Sequence, residues 1–299
     1  MKSIAFFAIL LLVICPTVTS YSASIALELG YLSAAAYESA ASIQAWNCTY
    51  CHKYLVSDVK VFSNAVGGIQ GFTGYAQNIN AVVVVFRGSN NIQNWILNIG
   101  TTRSSYPLCA SCSVHTGFYE GYSLVESAVK SNVQTLKAKY RGVKLVVTGH
   151  SLGGALAILG TADLKSIFGT VDLTYTFGQP RVGNTAFAEW FQSSHPNTFR
   201  LVDYADIVPH VPPSNLGFVH SNVQAWYQRG MQTFQICDAE AATCANSVGT
   251  ANLSTDDHNL DNYLKLKAFL ANLSLFVRLE EGALRFINNN LRKKEAGSQ

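Results

Sequence analysis

Several stretches of the chain are dense in β-branched and aromatic residues rather than alternating apolar with polar. They are residues 81–86, 143–148, 173–177 and 198–204, and the first contains the four-valine run Val82 to Val85. Continuous runs of this kind read as strands buried on both faces. Between them lie 123–139, 152–168 and 186–194, which read as helices. Strand and helix therefore alternate through the middle of the chain, which predicts an α/β fold with a mostly parallel central sheet flanked by helices. Residues 56–62 and 68–75 fit antiparallel strands ahead of that core, and 231–236 fits another near the far edge. Beyond Tyr263 the pattern turns helical to the end, with apolar Phe269, Leu273, Phe276, Val277, Leu284 and Ile287, an unusual tail over 264–299.

One shorter stretch is amphipathic. In residues 90–100 the apolar Ile92, Trp95, Ile96 and Ile99 follow i, i+3, i+4, i+7 spacing, and Asn91, Gln93, Asn94 and Asn98 make the other face. The N-terminus differs again. Lys2 precedes an uninterrupted apolar run over residues 4–15, too short to span a bilayer, and Val18-Thr19-Ser20 supplies small residues. That pattern predicts a signal peptide over 1–20, a mature start at Tyr21, and a single domain over 21–299. No transmembrane segment is expected.

Composition sharpens this picture. Hydrophobic residues are 48% and charged residues 13% of the 299, where about 25% charged is usual, so the surface must rely on Ser, Thr, Asn, Gln and Gly. A net charge of +3 without a basic patch argues against nucleic-acid binding. Six cysteines remain after the leader: Cys48, Cys51, Cys109, Cys112, Cys237 and Cys244. An even number behind a signal peptide reads as disulfides formed in the secretory pathway, and the close spacings suggest local pairs. Cys48-Thr49-Tyr50-Cys51-His52 also satisfies the haem-attachment pattern, and the two C-x-x-C pairs resemble zinc ligands. The wide gap between the pairs and the secreted setting favour oxidised sulfur, so no metal or cofactor is expected. Asn47, Asn252 and Asn272 each begin a glycosylation sequon.

The candidate chemistry starts at Gly149-His150-Ser151-Leu152-Gly153, a G-x-S-x-G pattern. The pattern alone is weak, but a buried strand ends directly before it and an Ala/Leu-rich helix begins directly after it. That is the context of a nucleophile elbow, with Ser151 as nucleophile. A serine hydroxyl needs a base, and in such folds an acid and then a histidine follow the serine. His210, His220 and His258 come late enough. His258 lies in a polar loop beyond the far-edge strand, whereas His210 is only four residues past the preferred acid and reads as a surface loop residue. Asp206 follows a core strand at its carboxyl end, where ligands gather in open sheets. Asp203, inside that strand, competes with it. His150 is expected to point away from the chemistry.

Taken together, several segments resemble the secreted fungal-type (class 3) triacylglycerol lipases. They are Phe86-Arg87-Gly88-Ser89 with Asn94-Trp95, Val114-His115-Thr116-Gly117-Phe118, the elbow from Thr148 to Ala157, Phe177-Gly178-Gln179-Pro180-Arg181-Val182-Gly183-Asn184, Asp206-Ile207-Val208-Pro209 with Pro212-Pro213, and Gly217-Phe218-Val219-His220. The resemblance implies an α/β-hydrolase fold and Ser151, Asp206 and His258 as the triad. It implies an oxyanion hole from Ser89 and Leu152, whose donors are worth roughly 3 kcal/mol each. It implies a C-x-x-C bridge just before Val114-His115. It also implies a short helical lid carrying Ile92, Trp95, Ile96 and Ile99, which rolls onto a lipid surface. The expected enzyme is a secreted monomer that hydrolyses lipid esters at a lipid–water interface, most simply triacylglycerols. Phospholipase A1 and feruloyl esterase activities share the fold. An acyltransferase or a non-catalytic lipid-binding protein are the readings from other classes.

Overall fold

The computed structural model describes residues 20–268 and 270–271. The leader expected over 1–20, save for Ser20, the sequon at Asn272 and nearly all of the 264–299 tail lie outside them.

The helices are α1 (Ala23–Ala35), α2 (Ala40–Gln44), α3 (Ile92–Asn98), α4 (Thr116–Ser123), α5 (Glu126–Lys139), α6 (Leu152–Phe168), α7 (Thr185–Ser194) and α8 (Leu260–Tyr263). The strands are β1 (Val56–Asn64), β2 (Ile69–Ala76), β3 (Ala81–Phe86), β4 (Arg103–Ser105), β5 (Ser113–His115), β6 (Lys144–His150), β7 (Leu173–Phe177), β8 (Thr198–Asp203), β9 (Gln224–Tyr227) and β10 (Phe234–Cys237). Eight of the strands form one sheet in the order β1-β2-β3-β6-β7-β8-β9-β10. The run from β3 to β9 is parallel, and an antiparallel hairpin closes each end.

The valine run explains the layering. Successive side chains of a strand point to opposite faces. Val83 and Val85 join one buried cluster with Ala26, Leu29 and Leu32 of α1. Val82 and Val84 join another with Val129 and Val133 of α5, Leu156 and Leu159 of α6, and Phe187 and Phe191 of α7. A strand with an apolar layer on both sides cannot alternate, so its sequence is solid. In β6, Val146 belongs to the first cluster, and Leu145 and Val147 to the second. No helix among the described residues is long and apolar enough to cross a membrane.

The expected strands over 81–86 and 173–177 and the helix over 152–168 match in full. The far-edge strand starts later than the expected 231–236, at Phe234, because it pairs with β9, which the apolar pattern did not reveal. The expected helix over 123–139 is α5, which starts later at Glu126, and α4 over Thr116–Ser123 precedes it unexpected. The α1 helix carries no polar face to announce it: Ala26, Leu29 and Leu32 are buried, but so are Glu28 and Ser33.

Leu159, fully buried in the second cluster, tests the packing. Leu159→Ala should lower the unfolding free energy by about 2–5 kcal/mol, read from urea unfolding midpoints at constant slope. A loss below about 1 kcal/mol would contradict close packing of α6 on the sheet.

Candidate active site

The β6–α6 turn sets the geometry. Ser151 has φ 59° and ψ −131°, an unusual conformation for a residue with a side chain. Its amide donates to the Phe177 carbonyl at 2.9 Å, and its carbonyl accepts from Gly154 at 2.8 Å. The flanking glycines permit the turn. A Cβ on Gly149 would overlap the backbone of Gly153, and one on Gly153 would overlap the Phe86 carbonyl. Ser151 is only 1% exposed, yet it lines a cleft of about 560 Å³ with Ser89, Ile92, Gln93, His150 and His258.

Behind the cleft, Asp206 is fully buried. The Nδ1–H of His258 donates to its two oxygens at 3.0 and 2.9 Å. The Val208 amide donates to Oδ1 at 2.8 Å, and the Tyr263 hydroxyl to Oδ2 at 2.5 Å. The loop bearing His258 is tied to the Asp206 turn by backbone: Ile207 N–H donates to Ser254 O at 3.2 Å and Ser254 N–H to Ala205 O at 2.8 Å. Gly178, at φ +54°, leaves the space; a Cβ there would lie 2.6 Å from Asp206 Oδ2 and 2.7 Å from His258 Nδ1. Ser151 Oγ and His258 Nε2 have no hydrogen-bond partner among the described residues.

Leu152 is the first residue of α6, where a helix amide has no acceptor within the helix. Ser89 reaches Ser151 through Gly88, whose Cβ would come within 2.8 Å of Ser151 Cβ. The Ser89 hydroxyl donates to the Asn91 carbonyl and accepts from the Asn91 amide, both at 3.3 Å. The α3 cap is instead Asn91, which accepts from Asn94. The helix over Ile92–Asn98 is shorter than the expected 90–100. Its apolar face is half-buried: Trp95 stacks on Phe118 at 6.1 Å and, with Ile99, packs on the second cluster, whereas Leu97 is 82% exposed.

With this geometry in view, the sequence model of the family described as Lipase (class 3) matches residues 83–216. The lipase of Rhizomucor miehei is 34% identical over 211 residues, covering 68% of this chain and 58% of that protein. A solved structure of Rhizomucor miehei triacylglyceride lipase superposes with a TM-score of 0.73 at 32% identity, covering 80% of this chain and 94% of that one. The chain belongs to the class 3 lipases. A secreted mono- and diacylglycerol lipase of Fusarium solani is 36% identical over 208 residues, 66% of this chain and 62% of that protein. The match spans little more than half the length of the first curated relatives, 58% and 54%.

Within this class 3 lipase scaffold, the cysteines pair as Cys48–Cys51, Cys109–Cys112 and Cys237–Cys244. Those bonds use the sulfurs that a haem or zinc site would need. Asn47 and Asn252 are exposed. Two expectations are corrected. His150 does not point away: its ring stacks on His258 at 4.5 Å, and it lines the cleft. His210 is half-buried in a 3-10 turn rather than on the surface, because its carbonyl accepts from the buried Arg181. Sequence reasoning did not assign Tyr37 or Tyr263. The aromatic residue five past His258 was the only signal, and it does not announce a hydroxyl on the acid.

Asp203, the competing acid, is buried at the end of β8. Burial pushes its carboxyl up to about 7, helped by Asp257 and Asp206 and opposed by Lys265 and Arg229. The folded chain therefore holds this proton where the unfolded chain has released it. Stability contributed by the neutral acid is present below the ordinary carboxylate range and is lost as pH rises to about 7. Asp203→Asn should raise the melting temperature over the parent by several degrees at about pH 8, with the gain shrinking towards about pH 4. A difference that does not vary with pH would contradict this assignment.

Proposed function

We propose that this chain is a secreted serine hydrolase of carboxylic esters that acts on lipid esters, most simply triacylglycerols, through an acyl-enzyme on Ser151. The observation that carries the reading is the buried Asp206–His258 pair sharing one cleft edge with a serine held at an elbow. Ser151 Oγ attacks the ester carbonyl while His258 Nε2 takes its proton. Asp206 holds the Nδ1–H tautomer and stabilises the imidazolium. The developing oxyanion accepts from the amides of Leu152 and Ser89. His258 then protonates the leaving alcohol, and water repeats the sequence on the acyl-enzyme. A triacylglycerol lipase whose catalytic centre is described as a serine protease triad supports this; it superposes with a TM-score of 0.72 at 33% identity, over 79% of this chain and 92% of that one. The three disulfides fit an oxidising compartment.

The α3 segment acts as the lid. Ile92 and Gln93 of it line the cleft of the 1% exposed Ser151, and its half-buried Trp95 and Ile96 become lipid contacts when it rolls outward beside exposed Leu97. One observation favours a second reading, partial glycerides. Among the described residues, Ala34, Ile92 and Leu260 are the aliphatic ones lining the cleft, whereas Asn90, Gln93, Thr255, Asn259 and Asn262 offer polar groups for free hydroxyls. A mono- and diacylglycerol lipase is among the relatives.

A fluorophosphonate probe should label Ser151 and no other residue; labelling elsewhere would overturn the mechanism. Hydrolysis of triolein, diolein, phosphatidylcholine and a feruloyl ester, compared at equal enzyme, should favour the glycerides. A higher rate on the feruloyl ester would overturn the lipid reading. The rate on a short-chain glyceride should jump where the substrate passes its solubility limit, and a smooth saturation curve through that point would count against the lid.

A further inference from the structure

Two residues outside the triad join its moving parts. The Nε2 of His150 meets the carbonyl of His258 at 2.9 Å. A carbonyl only accepts, so Nε2 carries the proton, and neutral His150 then presents a lone pair at Nδ1. The Tyr37 hydroxyl lies 2.8 Å from that Nδ1 and must donate to it. The same hydroxyl packs against Gly88, the residue before Ser89: a Cβ there would lie 2.2 Å from it. Two proton positions are thereby fixed, Tyr37 O–H to His150 and His150 N–H to His258, and Tyr37 itself is pressed on the Gly88 backbone. The Gly88 loop is pressed on the elbow as well, since a Cβ there would come within 2.7 Å of the His150 carbonyl.

We propose that Tyr37 and His150 form a positioning relay that holds the oxyanion loop at Gly88–Ser89 and the base His258 in register across Ser151. The proposal rests on the hydrolase reading above. Three chain segments meet here that no sheet hydrogen bond joins: the turn after α1, the loop after β3, and the loop before α8. Each carries or supports a group that must meet the same reacting carbon, and misplacement by about 1 Å can cost a hundredfold in rate. The relay also needs its central ring uncharged. Burial holds His150 well below its usual range, and His258 beside it acts in the same direction. A neutral ring stacked on His258 tolerates the imidazolium formed there in turnover, whereas a second cation would oppose it.

The test uses a soluble p-nitrophenyl ester and the variants Tyr37→Phe, His150→Gln, His150→Leu and Tyr37→Phe/His150→Gln. Tyr37→Phe keeps the ring and removes only the hydroxyl. Its kcat should fall about ten- to a hundredfold, with KM within about twofold and an unchanged urea midpoint. His150→Gln, whose amide can still donate to the His258 carbonyl, should retain several times the kcat of His150→Leu. The double variant should lose less than the product of its single losses, because both break one chain of bonds. Parental kcat in Tyr37→Phe, equal losses in Gln and Leu, or fully multiplicative losses would each overturn the relay. Parent enzyme that neither turns over the ester nor takes the fluorophosphonate would instead refute the hydrolase reading.

Discussion

One fully buried carboxylate organises this structure. Asp206 accepts from the imidazole of His258, the amide of Val208 and the hydroxyl of Tyr263. Burying an ionised carboxylate is costly unless donors replace its water, and these three do so. They come from the loop after β10, the turn after β8 and the α8 helix, so one charge draws together elements far apart in the chain. Removing any one donor would leave the charge short of partners. Gly178 is constrained by the same requirement, because no side chain fits between its backbone and the Asp206–His258 contact.

The serine is held by a different kind of constraint. Its positive φ is unfavourable for a residue with a Cβ, and such conformations persist where the surroundings over-determine them. Here β6 lies between β3 and β7 in the parallel sheet, α6 packs on both β6 and β3, and Gly149 and Gly153 let the backbones touch. The first amides of α6 point along the helix axis towards the site. In the mechanism proposed, the sheet and helix present the serine and an amide donor, and the Asp206 assembly presents the base. The Tyr37–His150 bonds join these two halves.

Much of this was legible because burial on both faces leaves a plain signature. The valines of β3 and the small residues of α6 announced a parallel core and an elbow; chain order left three histidines, and loop and strand-end positions favoured His258 and Asp206. The short pieces were harder. β9 is four residues, and α1 is buried around most of its circumference, so neither shows a clean period. His150 misled for a physical reason: alternation along β6 predicts that neighbours face apart, but the elbow breaks that alternation at Ser151. Tyr37 lies 113 residues from its partner, and a single tyrosine after a helix carries no local pattern. The disulfides were legible as pairs, since each closes a short loop.

The central claim is that Asp206 orients the base rather than merely filling a buried site. Replacing it by asparagine preserves size and leaves the donors from Val208 and Tyr263 an acceptor, while the amide can impose the opposite tautomer on His258. The most direct measurement is the kcat of purified Asp206→Asn on a soluble ester, taken alongside its circular dichroism spectrum. The account predicts a native spectrum with kcat reduced by about three to four orders of magnitude. A folded variant within about tenfold of the parent would contradict it.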